Sequence, residues 1–355
     1  MACIENPMRL SLERPDINRE SMSTLLKTLP INCFHVFVWL VTAMALSAGV
    51  QGQAQTSDHF PNKPIHLVVP FPPGGALDIV ARTIAKPLGL SMGQAVIIDN
   101  KAGADGAIAA DFVAKSEPNG YTLFMATYGS MSALPYLHKS LPYNVLNDFT
   151  PISNTGKFAF FLFAHPSIPS HDLNELIAYI HAHPDQVNYG SGNVGGVVGT
   201  AELAQLNHLK MVHIPYKGEV PAMNDFLAGR VQLMLGTPAN ALEFVKEGKL
   251  NAVVTFLDKR SPLLPQTPTL HELGFPNLSI TPWSGIFGPA NLSPVIASRL
   301  SLAINEALKG QEAQAEFAKQ AFESRGSTPA ELALYVKDQL QHWGHSIELA
   351  GLVAQ

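Results

Sequence analysis

The sequence predicts an α/β protein of two lobes, with a cleft and a hinge between them, on three observations. After Pro61, short β-branched apolar runs alternate with stretches whose apolar residues recur at helical spacing, which is the pattern of an α/β sheet. Each strand-like run ends in a loop of small residues, and that edge is where open α/β sheets bind ligands. After a strongly apolar run at residues 158–164 the pattern restarts, so the chain builds a second unit of the same kind.

The first strand, residues 65–69, is apolar enough to be buried on both faces. It runs into Pro70-Phe71-Pro72-Pro73-Gly74-Gly75-Ala76-Leu77-Asp78 and then a helix marked by Leu77, Val80, Ala81, Ile84, Ala85 and Leu88. The prolines stiffen this turn. The glycine pair opens the helix and leaves unpaired N–H groups at the positive end of its dipole. That makes an anion seat without side-chain charge. Asp78 falls near the third helical position, where it closes the first turn.

A second strand at 95–99 leads through a Gly-rich passage into a helix at 107–115. A third, at 121–126, delivers the loop Thr127-Tyr128-Gly129-Ser130. Residues 135–155, punctuated by Pro and Asn, read as connecting structure. The apolar run at 158–164 reads as a strand crossing into the second lobe. There a helix at 173–181 and a strand at 187–189 precede the Gly-rich turn 190–196 and a helix through Leu209. A strand at 211–214, a helix at 221–227 and strands at 231–235 and 250–256 follow. Residues 283–287 read as the second crossover, and two long amphipathic helices, 294–308 and 328–350, close the chain. The expected division is 61–160 for the first segment of lobe 1, 161–282 for lobe 2, and 283–355 for the return to lobe 1.

The opening residues differ from the rest. Lys27 precedes a short apolar run that ends in small residues, and Gly52-x-Ala54 fits a cleavage site, so residues 1–54 read as a cleavable signal peptide. The polar stretch 1–21 reads as an over-extended start, with Met22 the alternative initiator. Both cysteines, Cys3 and Cys33, lie in this leader. The exported chain would carry no disulfide, thiol nucleophile or thiolate metal site. With 46% apolar residues a substantial core is available, and a net charge of −5 without a basic cluster excludes nucleic-acid binding.

The motifs point to binding, not to a reaction. Gly190-x-Gly192-x-x-Gly195 fits the dinucleotide fingerprint formally, yet the region beyond offers Lys210 and His213 where an acid should hold a ribose. Ser191 lacks the Gly-x-Ser-x-Gly setting of a nucleophile. His181-x-His183 and His342-x-x-His345 have no third ligand nearby, so helix faces explain them better than a metal. No cofactor and no metal is expected. No arginine falls in a strand-end loop, so an acid ligand would be held by backbone N–H groups, the hydroxyls of Ser130 and Ser191, Asn193 and ordered water. The candidate ligand-binding set is Phe71, Pro73, Gly74, Gly75, Asp78, Ser130, Ser191, Gly192, Asn193 and Gly195. Lys101 and Lys217 stand on nearby loops.

Several motifs then carry a resemblance. They are Pro61-x-Lys63-Pro64-Ile65, Val69-Pro70-Phe71-Pro72-Pro73-Gly74-Gly75-x-x-Asp78 and Asn119-Gly120-Tyr121-Thr122-Leu123. Further on come Leu141-Pro142-Tyr143 with Asp148-Phe149-Thr150-Pro151, Val212-His213-Ile214-Pro215-Tyr216-Lys217-Gly218, and Lys259-Arg260-Ser261-Pro262. In their order they resemble the Bug receptors, the periplasmic solute-binding components of tripartite tricarboxylate transporters. The resemblance implies a hinge-closing periplasmic binding protein of type II topology, and a monomer is expected. It implies a small carboxylate held between the two Gly-rich loops and membrane subunits of a transporter as partners. The chain departs from the family's pattern at three places. Val198 stands where a histidine is usual, in a loop about one residue shorter. Gly236-Thr237 replaces Asp-Asn, and Leu77 replaces a threonine. These exchanges predict a less polar acid, aromatic or branched, in place of citrate or aspartate. A ligand sensor docking on a signalling partner is the runner-up, and an exported hydrolase using Ser191 or Ser130 is the rival of a different class.

Overall fold

The computed structural model describes residues 60–170, 172–275, 280 and 282–354, all within the compact unit Ser57–Gln355. The signal-peptide reading of 1–54 lies outside the described residues. Among the described residues no helix is long and apolar enough to cross a membrane.

Lobe 1 opens with β1 (Ile65–Val69), α1 (Ala76–Met92), β2 (Val96–Asn100), α2 (Ala107–Ala114) and β3 (Thr122–Thr127). The apolar spacing of α1 buries Leu77, Val80, Ala81, Ile84, Ala85 and Leu88 on one face. β1 pairs in parallel with both β2 and β3, as βαβ crossovers require. β4 (Phe149–Lys157) follows. Within the span 135–155, expected to be connecting structure, residues 149–155 belong to this nine-residue strand. Its pairing comes from β10 (Trp283–Pro289), more than a hundred residues away, so no local pattern announces it. Pro151 is accommodated beside a register shift between Ile286 and Phe287.

Lobe 2 holds β5 (Phe161–Ala164), α3 (Leu173–Ala182), β6 (Asn188–Ser191), α4 (Val194–Leu206), β7 (Val212–Pro215), α5 (Glu219–Leu227), β8 (Leu233–Gly236) and β9 (Asn251–Thr255). The chain then re-enters lobe 1 as β10 and ends with α6 (Pro294–Lys309), α7 (Gln311–Ala318), the two-residue β11 (Glu323–Ser324) and α8 (Pro329–Leu349). α7 was not expected from the sequence. Residues 283–287, read as a crossover, form the start of β10 inside the first sheet, antiparallel to β3 and β4.

The two sheets repeat one plan. Strand order is β11-β4-β10-β3-β1-β2 in lobe 1 and β7-β6-β8-β5-β9 in lobe 2. In each, a parallel trio is continued by an antiparallel strand that has just arrived from the other lobe, β10 in one and β5 in the other. This is the type II arrangement.

Two crossing segments form the hinge and are bonded to each other. Phe158 N–H donates to Pro282 O at 2.8 Å, and Phe256 N–H donates to Phe160 O at 2.9 Å. Beside them α8, which starts in lobe 1 with a capping box at Thr328 and Glu331, packs against both β4 and the lobe 2 helix α4. One buried apolar cluster therefore runs from Phe124 and Phe149 through Tyr128, Phe160 and Trp343 to Val194 and Val198.

Candidate functional site

Where the carboxyl ends of the two sheets face each other lies a narrow cleft, open on one side to solvent. Lobe 1 contributes Phe71, Pro72, Gly75, Ala76 and Leu77 from the β1–α1 turn, and Thr127 and Tyr128 from the end of β3. The hinge contributes Phe158 and Phe160. Lobe 2 contributes Gly192 and Asn193, Glu219 and Val220 at the start of α5, and Thr237 after β8. No Lys or Arg is among these residues.

The lobe 1 wall is a helix start. Ala76 and Leu77 are the first residues of α1, so their N–H groups lack intrahelical partners. Asp78 braces this turn from behind. Its Oδ2 accepts from Gly74 N–H and from Arg82 Nε, and its Oδ1 accepts from Asn100 Nδ2, which also donates to Phe71 O. Burial pushes the Asp78 carboxyl up, but Arg82, the Gly74 N–H and Asn100 more than offset this and hold it below its usual range. Thr127 Oγ1 is buried in the lining with no hydrogen-bond partner in the protein.

The lobe 2 wall is polar, and its hydrogen bonds have a fixed direction. Asn193 caps α4, and its Oδ1 accepts from Gly196 N–H at 2.8 Å. A backbone N–H can only donate, so the Asn193 amide NH₂ must face the other way. There it donates to Glu219 Oε1 at 2.8 Å. Thr237 adds its N–H to Oε1 at 3.3 Å and its hydroxyl to Oε2 at 2.6 Å. Burial pushes the Glu219 carboxyl up, and the bonds from Thr237 and Asn193 draw it partway back. Gly192 allows this packing, because a Cβ there would stand 2.3 Å from Glu219 N.

The lobes also touch directly. Tyr128 Oη donates to Asn193 Oδ1 at 2.9 Å while its ring stacks on Trp343 of α8, centroids 4.7 Å apart. The cleft is thus closed along this edge.

Of the residues proposed from sequence, Phe71, Gly75, Gly192 and Asn193 line the cleft. Pro73, Gly74, Asp78, Ser130, Ser191 and Gly195 are not among the lining residues. The Ser130 hydroxyl donates to Thr127 O at 3.2 Å, and Gly195 lies inside α4 against Phe160 and Tyr128. Ser191 Oγ lies 2.6 Å from His213 Nε2, whose ring stacks on Tyr189. Burial pushes the His213 pKa down, and among the described residues no carboxylate is hydrogen-bonded to it. Lys101 lies over the Phe112 ring and Lys217 is exposed. Val198 is fully buried in the core and, unlike Leu77 and Thr237, does not line the cleft. The sequence reading missed Glu219, because α5 was expected to begin at Pro221. An acid just past a strand end, in a Tyr-Lys-Gly turn, was the available signal.

Comparison with known proteins fits this geometry. Residues 80–352 match the family described as the tripartite tricarboxylate transporter family receptor. The chain is 35% identical over 299 residues to Protein BugT of Bordetella pertussis, covering 83% of this chain and 92% of that protein. Among solved structures it superposes on the periplasmic binding protein BugD with a TM-score of 0.80 at 29% identity, covering 83% of this chain and 100% of that one. An R. palustris protein solved with adipate gives 0.80 at 27% identity, with the same coverage of 83% and 100%. MatC from Rhodopseudomonas palustris, with bound malate, gives 0.75 at 29%, covering 81% of this chain and 100% of that one.

Proposed function

Because the chain belongs to the tripartite tricarboxylate transporter receptor family, we propose that it captures a small organic carboxylate in the periplasm and presents it to the membrane subunits of such a transporter. Family and fold are those of solute-binding proteins, not of enzymes. The observation that carries the reading is the cleft between the lobes, with the open N-terminus of α1 on one wall and the Gly192-Asn193 turn on the other. An acid group seated against the Ala76 and Leu77 N–H groups meets the positive end of the helix without a side-chain cation. Thr127 Oγ1 supplies a further donor within the lining.

The bound solutes of two neighbours, adipate and malate, support this ligand class. The apolar lining by Phe71, Leu77, Phe158, Phe160 and Val220 favours a less polar acid than citrate. In this reading Phe71, Gly75, Gly192 and Asn193 touch the ligand, while Pro73, Gly74, Asp78, Ser130, Ser191 and Gly195 hold the walls in place. Affinity then equals the cleft contacts less the free energy of closing the lobes.

The test is to purify the protein, identify the co-purifying small molecule by mass spectrometry, and measure its binding by calorimetry. An organic acid recovered chemically unchanged and bound one to one supports the proposal. A turned-over product refutes it. In a thermal-shift panel of carboxylates, the largest stabilisation by citrate would refute the less polar ligand.

A further inference from the structure

We propose that Glu219 reads a positively charged nitrogen on the ligand, so that the acid this cleft prefers is zwitterionic, an amino acid with an apolar body. This inference rests on the acid-binding reading of the cleft and names the second group of the same ligand.

The argument begins with lone pairs. Two carboxylate oxygens offer about four acceptor sites. Asn193 Nδ2 and Thr237 N–H occupy both on Oε1, and the Thr237 hydroxyl occupies one on Oε2. One site on Oε2 is left, at a residue that lines the cleft. The polarity of the surroundings is fixed upstream: Tyr128 Oη and Gly196 N–H both donate to Asn193 Oδ1, so the amide can only donate onward. The chain of hydrogen bonds therefore terminates on Glu219, and with that carboxyl ionised the remaining partner is a donor.

Charge chooses the kind of donor. With no Lys or Arg in the lining, a Glu219 carboxylate brings an uncompensated negative charge into a partly desolvated space. A second carboxylate placed there would add to it. A neutral N–H would satisfy the lone pair and leave the charge, whereas an ammonium group satisfies both. The opposite wall, at the start of α1, takes the ligand's own carboxylate, and Leu77, Phe158, Phe160 and Val220 enclose the body between them.

The experiment compares matched pairs by calorimetry on the purified protein: L-leucine against 4-methylpentanoate, and L-phenylalanine against 3-phenylpropanoate, within a panel of apolar amino acids of graded size and their des-amino acids. The expected result is a preference of about ten- to a hundredfold for the amino acids, the worth of one charge-assisted hydrogen bond. Glu219→Gln is expected to remove most of that preference, read as the ratio of the two affinities within each matched pair. Equal or tighter binding of the des-amino acids to the unaltered protein overturns the inference and leaves the acid-binding reading standing. So does a Glu219→Gln protein that keeps the preference. Absence of binding throughout both series overturns the inference, and the acid-binding reading falls with it only if no organic acid co-purifies or binds in the wider carboxylate panel. The comparison on the unaltered protein decides the question even where the variant fails to fold.

Discussion

Tyr128 Oη donates a 2.9 Å hydrogen bond to Asn193 Oδ1, joining the end of β3 in one lobe to the N-cap of α4 in the other. Both partners line the cleft, so the bond belongs to the closed form. Tyr128→Phe keeps the ring and its stacking and deletes only the hydroxyl. A neutral hydrogen bond contributes about 1 kcal/mol net, so ligand dissociation constants should rise about fivefold with little change in Tm of the ligand-free protein. Calorimetry and a melting curve on the same sample check this, and unchanged affinity would mean the bond is not part of closure.

Gly195→Ala tests the same edge sterically. A Cβ at this position would lie 2.5 Å from Phe160 Cε2 and 2.8 Å from Tyr128 Oη, so the rings must move for the lobes to meet. The expected outcome is at least a tenfold loss of ligand affinity. Small-angle scattering should show a more open average shape in the presence of ligand.

Asp78→Ala removes the acceptor for Gly74 N–H, Arg82 and Asn100 together. Gly74 N–H is then left without an acceptor, while Asn100 keeps Phe71 O and Arg82 keeps Asn100 Oδ1, so the protein should be destabilised by about 1–3 kcal/mol, read from denaturant unfolding near neutral pH. Because the folded carboxyl titrates below its unfolded value, its stabilisation is present above that unfolded value, near 3.8, and is lost as pH falls through the lower folded one. The gap between the two proteins should therefore narrow in strong acid. A gap constant with pH would count against a role for the ionised carboxylate.

Glu202 behaves in the opposite sense. It is buried in α4, both its oxygens lack hydrogen-bond partners, and burial pushes its pKa from 4.5 up to about 7. The folded state therefore binds more protons than the unfolded one between these values, so stability falls as pH rises through that window. The full penalty, about 3 kcal/mol, stands above it. Glu202→Gln should raise Tm at pH 8 by several degrees and flatten the decline between pH 5 and 8. An unchanged slope would assign the decline to other groups.

The elements legible in the sequence are those whose signals are local. β1, α1 and β2 follow from an apolar run, a proline and glycine turn and a helical stripe, each within a few residues. β4 was illegible because Pro151 and Asn154 argue for a loop, and pairing with the distant β10 and β11 makes it a strand. The site divides the same way. The β1–α1 turn declares itself through Pro72, Gly74 and Gly75. The polar wall does not, because Asn193, Glu219 and Thr237 come from three separate strand ends and acquire meaning only as a hydrogen-bonded set.

The stacking of Trp343 on Tyr128 has a practical consequence. The ring whose hydroxyl latches the lobes also forms the immediate optical environment of a tryptophan. The only other tryptophan among the described residues is Trp283, deep within the first sheet. Intrinsic fluorescence thus gives the molecule a built-in, label-free gauge of whether it is shut, and titrating solutes against that emission would sort ligands from bystanders in a single cuvette.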